Sequence, residues 1–133
     1  METQPNGSLC FRQDGKPIFI FDKQSYDYHC ERHSLLKEGW FLGEVEKALF
    51  EPDVISQGLK SNIRIYYRVY KSHNKKYNIS VWAVRIPVVY RHNKRGKEIC
   101  FIKSAHDRQG FADQIVPFVE DKNRLWTSPT SLI

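Results

Sequence analysis

The chain has 133 residues, 41% of them hydrophobic and 14% aromatic, which excludes intrinsic disorder and indicates a single domain able to bury its own core without cross-links. Lysine and arginine number 21 against 15 aspartate and glutamate; the net charge of +6 suits nucleic acid or an acidic protein as partner and equally serves solubility alone. No apolar run approaches the ~20 residues of a membrane span, METQPNGSLCFRQDGK lacks a signal-peptide core, and no basic amphipathic helix stands out, so no membrane partner is expected and the chain reads as cytoplasmic.

Residues 1–16 are polar, with Pro5, Gly7 and Gly15, and read as a loose arm with a short strand near Leu9–Phe11. A single domain is expected over 17–122 and a loose tail over 123–133, with Trp126 docked somewhere. KPIFIFD (16–22) is a strand candidate. Ser25 can cap a helix over Tyr26–Lys37, which Gly39 ends. WFLGEVEKALF (40–50) has helical spacing, with Trp40, Phe41, Val45, Ala48 and Leu49 on one face, and Pro52 stops it. SQGLKSN is a loop. Three strand candidates follow: NIRIYYRVYK (62–71), YNISVWAVRIPVVY (77–90) and EICFIKSAH (98–106). Pro87 lacks a donor and predicts a bend, a bulge or an edge position in the second of these. Residues 110–122 suggest a short helix interrupted by Pro117.

The order strand, helix, helix, strand meander predicts an α+β domain. Two N-terminal helices would pack on an antiparallel sheet of three to four strands whose second face is partly free. In 62–71, Ile63, Ile65, Tyr67 and Val69 alternate with Arg64, Tyr66, Arg68 and Tyr70. The first set reads as a buried face; the second puts cations and rings in one row.

There is no GxGxxG, no GxxxxGK[ST] and no GxSxG, which argues against nucleotide-hydrolysing and α/β-hydrolase chemistry. Cys10, Cys30 and Cys100 are odd in number and form no CxxC pair, which suits reduced thiols. His29 and His33, in HCERH, would lie one helical turn apart. Cys30 stands where a HExxH motif has glutamate, and no third ligand is evident, so no metal or other cofactor is expected. Imidazoles exchange protons near neutral pH. Metal-free RNA cleavage needs such a carrier, together with cations for the phosphorane charge, a role open to Arg64, Arg68 and Lys103. In KSAH (103–106), Ser104 can bond a phosphate oxygen and His106 is a further proton carrier; equally, these residues can simply close a strand. Helix-surface positions for His29 and His33 explain them without chemistry. Arg85 can reach a groove or snorkel, Trp82 suits the core, and RHNKRGK (91–97) reads as a solvated hairpin tip.

ERHSL (31–35), EKALFEPDVI (46–55), RIYYRVY (64–70), ISVWAVRI (79–86) and CFIKSAH (100–106) occur in an order that resembles the phage and toxin branch of the barnase–EndoU–colicin–RelE superfamily of metal-independent ribonucleases. The resemblance spans about residues 28–107. It implies RNA cleavage on a curved antiparallel sheet backed by helices, with His33, Arg64 or Arg68, and Ser104 in the site. Ser104 stands where that branch commonly has threonine. His29 and His106 have no assigned counterpart. On this reading Tyr66 or Tyr70 stacks a base, Arg85, Lys103, His29 and His106 assist binding, and an immunity or antitoxin protein is a conceivable partner. The alternatives are a non-catalytic nucleic-acid or protein-binding module, such as a viral inhibitor of a host nucleic-acid enzyme, and a subunit that pairs through an apolar edge strand at Val88–Tyr90. Histidines remote from the Arg64/Arg68 face would favour binding alone.

Overall fold

The computed structural model describes residues 1–73, 79–111 and 124–129. Helix α1 spans Lys23–Cys30. Its cap is Asp22, whose carboxylate accepts from the Gln24 amide at 3.2 Å, and the Ser25 hydroxyl instead donates to the Lys103 carbonyl at 3.2 Å. The continuous helix expected to Lys37 is broken: α1 stops at Cys30, His33 is extended, and Ser34–Lys37 form a 3-10 turn. The break has a packing reason. Cys30 and Leu36 are both buried, and six residues of unbroken α-helix would turn them well apart around the axis. The Tyr26 hydroxyl donates to the Leu36 carbonyl at 2.6 Å and fixes the re-entry. Helix α2, Gly39–Phe50, buries Phe41, Leu42, Val45, Ala48 and Leu49 at the three-four spacing of one helical stripe, while Trp40 remains exposed.

The sheet corrects the expected architecture. Among the described residues it holds nine strands and is mixed. They are β1 (Glu2–Thr3), β2 (Leu9–Phe11), β3 (Ile18–Phe21), β4 (Val54–Gln57), β5 (Ile63–His73), β6 (Ile79–His92), β7 (Glu98–Ile102), β8 (His106–Phe111) and β9 (Arg124–Thr127). The order is β1-β2-β3-β7-β6-β5-β4-β9, with β8 also on β6. β3 and β7 run parallel, because the two helices carry the chain away between β3 and β4; the other pairings are antiparallel. The polar arm supplies β1 and β2, and the tail supplies β9. The helix expected over 110–122 begins on residues that belong to β8, and its remainder lies outside the described residues.

Registers divide the side chains into two faces. Phe11, Phe19, Phe21, Tyr66, Val84, Ile86, Val88, Cys100 and Ile102 meet the helices on one. Val54, Ile65, Tyr67, Val69 and Ala83 make a smaller core on the other. The row Arg64–Tyr66–Arg68–Tyr70 therefore lies on the helix face, the reverse of the free face expected for it.

β6 is the spine of the sheet. It pairs with β5 along one side without a register shift. Along the other it pairs with β8 over Ser80–Arg85 and with β7 over Val88–His92. Val88–Tyr90 is thus doubly paired and is no edge. Pro87 sits at the changeover. Its carbonyl accepts from the Lys103 amide at 2.9 Å. Amide and carbonyl of one strand residue point the same way, so the donor that Pro87 lacks faces the β7–β8 junction. There the chain leaves the ladder at residues 103–105.

Phe19 is buried edge-on between Phe50 and Tyr66, at 5.6 Å from each ring. Phe19→Ala is expected to lower unfolding stability by about 3–5 kcal/mol in urea titrations, and Trp40→Ala, at an exposed position, by less than about 1 kcal/mol.

Candidate proton-transfer site at a break in the sheet

The break at residues 103–105 brings three imidazoles together from distant parts of the chain. His29 comes from the last turn of α1, His33 from the segment after it, and His106 opens β8. The His33 and His106 rings meet edge-on with centroids 4.4 Å apart. His29 lies 6.4 Å from His106 and 6.5 Å from His33. Ser104 Oγ and His106 Nε2 are hydrogen-bonded at 2.9 Å. Arg85 is the direct cross-strand partner of His106, on the face opposite the helices.

A cavity of about 310 Å³ opens beside this group, with His29, Arg85, Lys103 and Ser104 in its wall and an apolar floor that includes Ile65 and Pro87. Burial lowers the His106 pKa to about 4, and the neighbouring His33, Arg85 and His29 push in the same direction against a smaller upward pull from Asp107. His29 is also lowered, mainly by burial and further by His33 and Arg32, while hydrogen bonding to the Lys103 backbone acts the other way. His106 is therefore neutral at neutral pH, with a ring lone pair free of a proton but a lowered affinity for one. Among the described residues no three His, Cys, Asp or Glu side chains converge in a metal-binding arrangement.

The structure divides the candidates named from the sequence. His29, His33, Arg85, Lys103, Ser104 and His106 gather at the break. Arg64, Tyr66, Arg68 and Tyr70 lie on the opposite face, and the pocket expected to unite them with His33 does not form. Arg68 donates to the Glu51 carbonyl, sits 3.6 Å from the Glu51 carboxylate and approaches the Tyr70 ring. Arg64 is exposed but lies over the Tyr90 ring at 4.5 Å. Tyr66 is buried and shares a hydrogen bond with Tyr90, and Tyr70 packs on Trp82 at 4.9 Å. A larger cavity of about 720 Å³ on this face touches Lys16, Tyr66, Arg68 and Trp126, with Glu51 and Asp53 as its carboxylates and no histidine in its wall.

Sequence reasoning missed the surroundings of the cluster. Tyr28 is exposed beside His29, with the Arg32 guanidinium 4.1 Å above its ring. Leu59, in the loop after β4, is fully exposed at the cavity rim. An apolar residue alone in the polar stretch SQGLKSN was the available signal for the second.

The chain matches no protein-family model, no curated protein and no solved structure. No helix among the described residues is long and apolar enough to cross a membrane. The three cysteines are free and buried.

An unfolded histidine titrates near 6.5 and His106 in the fold near 4, so between these values the unfolded chain holds a proton that the native chain lacks. This contribution to stability is complete above about pH 6.5 and is lost as pH falls towards 4, and His29 adds to it with the same sign. The urea midpoint is expected to drop between pH 7 and pH 5, and to drop less in His106→Gln. NMR titration of the ring should show His106 still neutral at pH 6.

Proposed function

We propose that the chain cleaves RNA without a metal, by attack of the 2′-hydroxyl on the adjacent phosphodiester at the break in the sheet. The observation that carries this reading is a cavity lined by His29, Arg85, Lys103 and Ser104, with His106 hydrogen-bonded to Ser104 and His33 packed against His106 just behind that wall. RNA supplies its own nucleophile, so the protein must move two protons and hold charge.

His106 takes the proton of the 2′-hydroxyl. When its Nε2–H donates to Ser104 Oγ, Nδ1 is left as the base and the serine hydroxyl can donate to a phosphate oxygen. The 2′-oxygen bonds to phosphorus, the 5′-oxygen bond breaks, and His29 supplies the proton that the leaving oxygen takes up. His29 takes this role rather than His33 because it stands in the cavity wall, whereas His33 packs edge-on against His106 with centroids 4.4 Å apart. His33 keeps the His106 ring in place. Arg85 and Lys103 offset the charge that develops on the phosphorane, and the phosphate in turn raises the affinity of His29 for its proton. Arg64 and Arg68 have no part in this scheme: they lie on the face away from the histidines, a separation that by itself favours binding alone, and the reading rests instead on Arg85 and Lys103 as the cations beside the imidazoles.

The test is incubation of the purified protein with single-stranded RNA in excess chelator. The expected products carry 2′,3′-cyclic phosphate ends. His106→Ala and His29→Ala should each slow cleavage by about 100- to 10,000-fold, His33→Ala by less, and Arg64→Ala within about threefold, the size of a screened surface charge. Absence of cleavage on every RNA tried, or full activity in His106→Ala, would remove the reading and leave a binding module.

A further inference from the structure

Resting on that reading, we infer that the cavity beside the histidines seats one unpaired nucleobase, which makes single-stranded RNA the substrate. The loop between β4 and β5 is built to hold an apolar side chain in solvent. The Gln57 side-chain amide donates to the carbonyls of Lys60 at 2.8 Å and Ile63 at 3.0 Å, tying the loop across its width. The Gly58 amide donates to the Ile63 carbonyl at 2.8 Å, and the Ile63 amide to the Lys60 carbonyl at 3.0 Å. Gly58 has no room for a side chain: a Cβ there would lie 2.5 Å from Ile63 Cγ2. Leu59 is thus presented by a cross-tied turn, and its full exposure is not the accident of a slack loop.

What lies below Leu59 explains the arrangement. Ile63, Ile65 and Pro87 form an apolar floor, and Arg85 and Lys103 stand at the same cavity beside His29 and Ser104. A flat apolar ring joined to a phosphate fits this pairing: the ring goes against Leu59 and the floor, the phosphate against the two cations and His29. A base stacked and paired in a duplex cannot enter, because its faces are already covered. The floor offers no side-chain hydrogen-bonding groups to read base edges, so discrimination among the bases is weak and selection is for an unpaired base as such.

The experiment separates this seat from catalysis by using 2′-O-methyl RNA, which has no nucleophile, with the wild-type protein. Fluorescence anisotropy should show a single strand bound at least about tenfold more tightly than the same strand in a perfect duplex, and a single abasic position should weaken the single strand by about fivefold or more. Leu59→Ala should weaken single-strand binding by about three- to tenfold, leave duplex binding unchanged and leave the thermal midpoint unchanged, since the side chain is in solvent. Equal binding of single strand and duplex, no binding of either, or a Leu59→Ala variant that binds the single strand as the wild type does would each overturn the inference. Cleavage of natural RNA with no single-strand preference would remove the seat and keep the chemistry; single-strand binding without cleavage would do the reverse.

Discussion

A strand residue that cannot donate determines where this molecule can hold a site. Pro87 lies in the middle of the sheet with an unbroken register to β5 on one side. On its other side the single hydrogen bond it can make is the one its carbonyl accepts from Lys103. A further residue of continuous ladder at that place would leave a buried carbonyl opposite a ring with no N–H, which is costly. The chain resolves the conflict by leaving the ladder at residues 103–105 and rejoining β6 as β8. Helix α1 lies against the opening, anchored in its first turn by the Ser25 bond to the Lys103 carbonyl. His29 and His33 come with it, and His106 is delivered by the first residue of the resumed strand. The same proline contributes its ring to the cavity floor.

The cations of β5 show why a residue type alone does not define a site. Arg68 is absorbed by the end of α2, where it donates to the Glu51 carbonyl, an acceptor that the last helical turn leaves without an internal partner. The Glu51 carboxylate at 3.6 Å adds only a modest attraction, because it is exposed. Arg64 covers the ring of Tyr90, whose hydroxyl is bonded to Tyr66. These side chains close the rim of the helix-side core. Arg85 differs: it lies across from His106, its Nε donates to the Tyr67 hydroxyl at 3.2 Å, and among the described residues no carboxylate pairs with it.

Much of the strand pattern was legible because β5 and β6 alternate on a period of two and α2 repeats on a period of three to four. What periodicity could not show is which face of β5 the helices cover, since Tyr66 on one side and Tyr67 on the other are both buried. β8 reads HDRQGF and β9 RLWT, short stretches without an apolar alternation, and the two residues of β1 are too few to make a pattern. The helix break at Cys30 was hidden because it follows from Cys30 and Leu36 both reaching the core, a tertiary demand. His29 and His33 were noticed for a helical spacing, and one further turn past the end of α1 keeps it: the His33 amide donates to the His29 carbonyl at 2.8 Å, and the rings lie 6.5 Å apart. Arg85, Lys103 and His106 were each visible as candidates. Their union with the early histidines depends on the β6–β8 register, which no local signal carries.

The electrostatics of the cluster give the strongest physical reason to connect it with an anion. Two imidazoles are held below their ordinary affinity for protons, mainly by burial and then by His33, with Arg85 and His29 acting further on His106 and Arg32 on His29. The carboxylate that opposes this at His106 is Asp107, and it already accepts the Trp82 indole N–H at 3.2 Å on the other face of the strand. The native cluster therefore avoids positive charge by keeping rings neutral, at a cost in stability whenever they are forced to protonate. A phosphodiester in the cavity would reverse the balance, since a negative group beside Arg85 and Lys103 favours the protonated ring that a departing 5′-oxygen would draw its proton from. Beside His29 such a phosphate would meet the Ser104 hydroxyl, bonded to His106, and the Arg85 guanidinium.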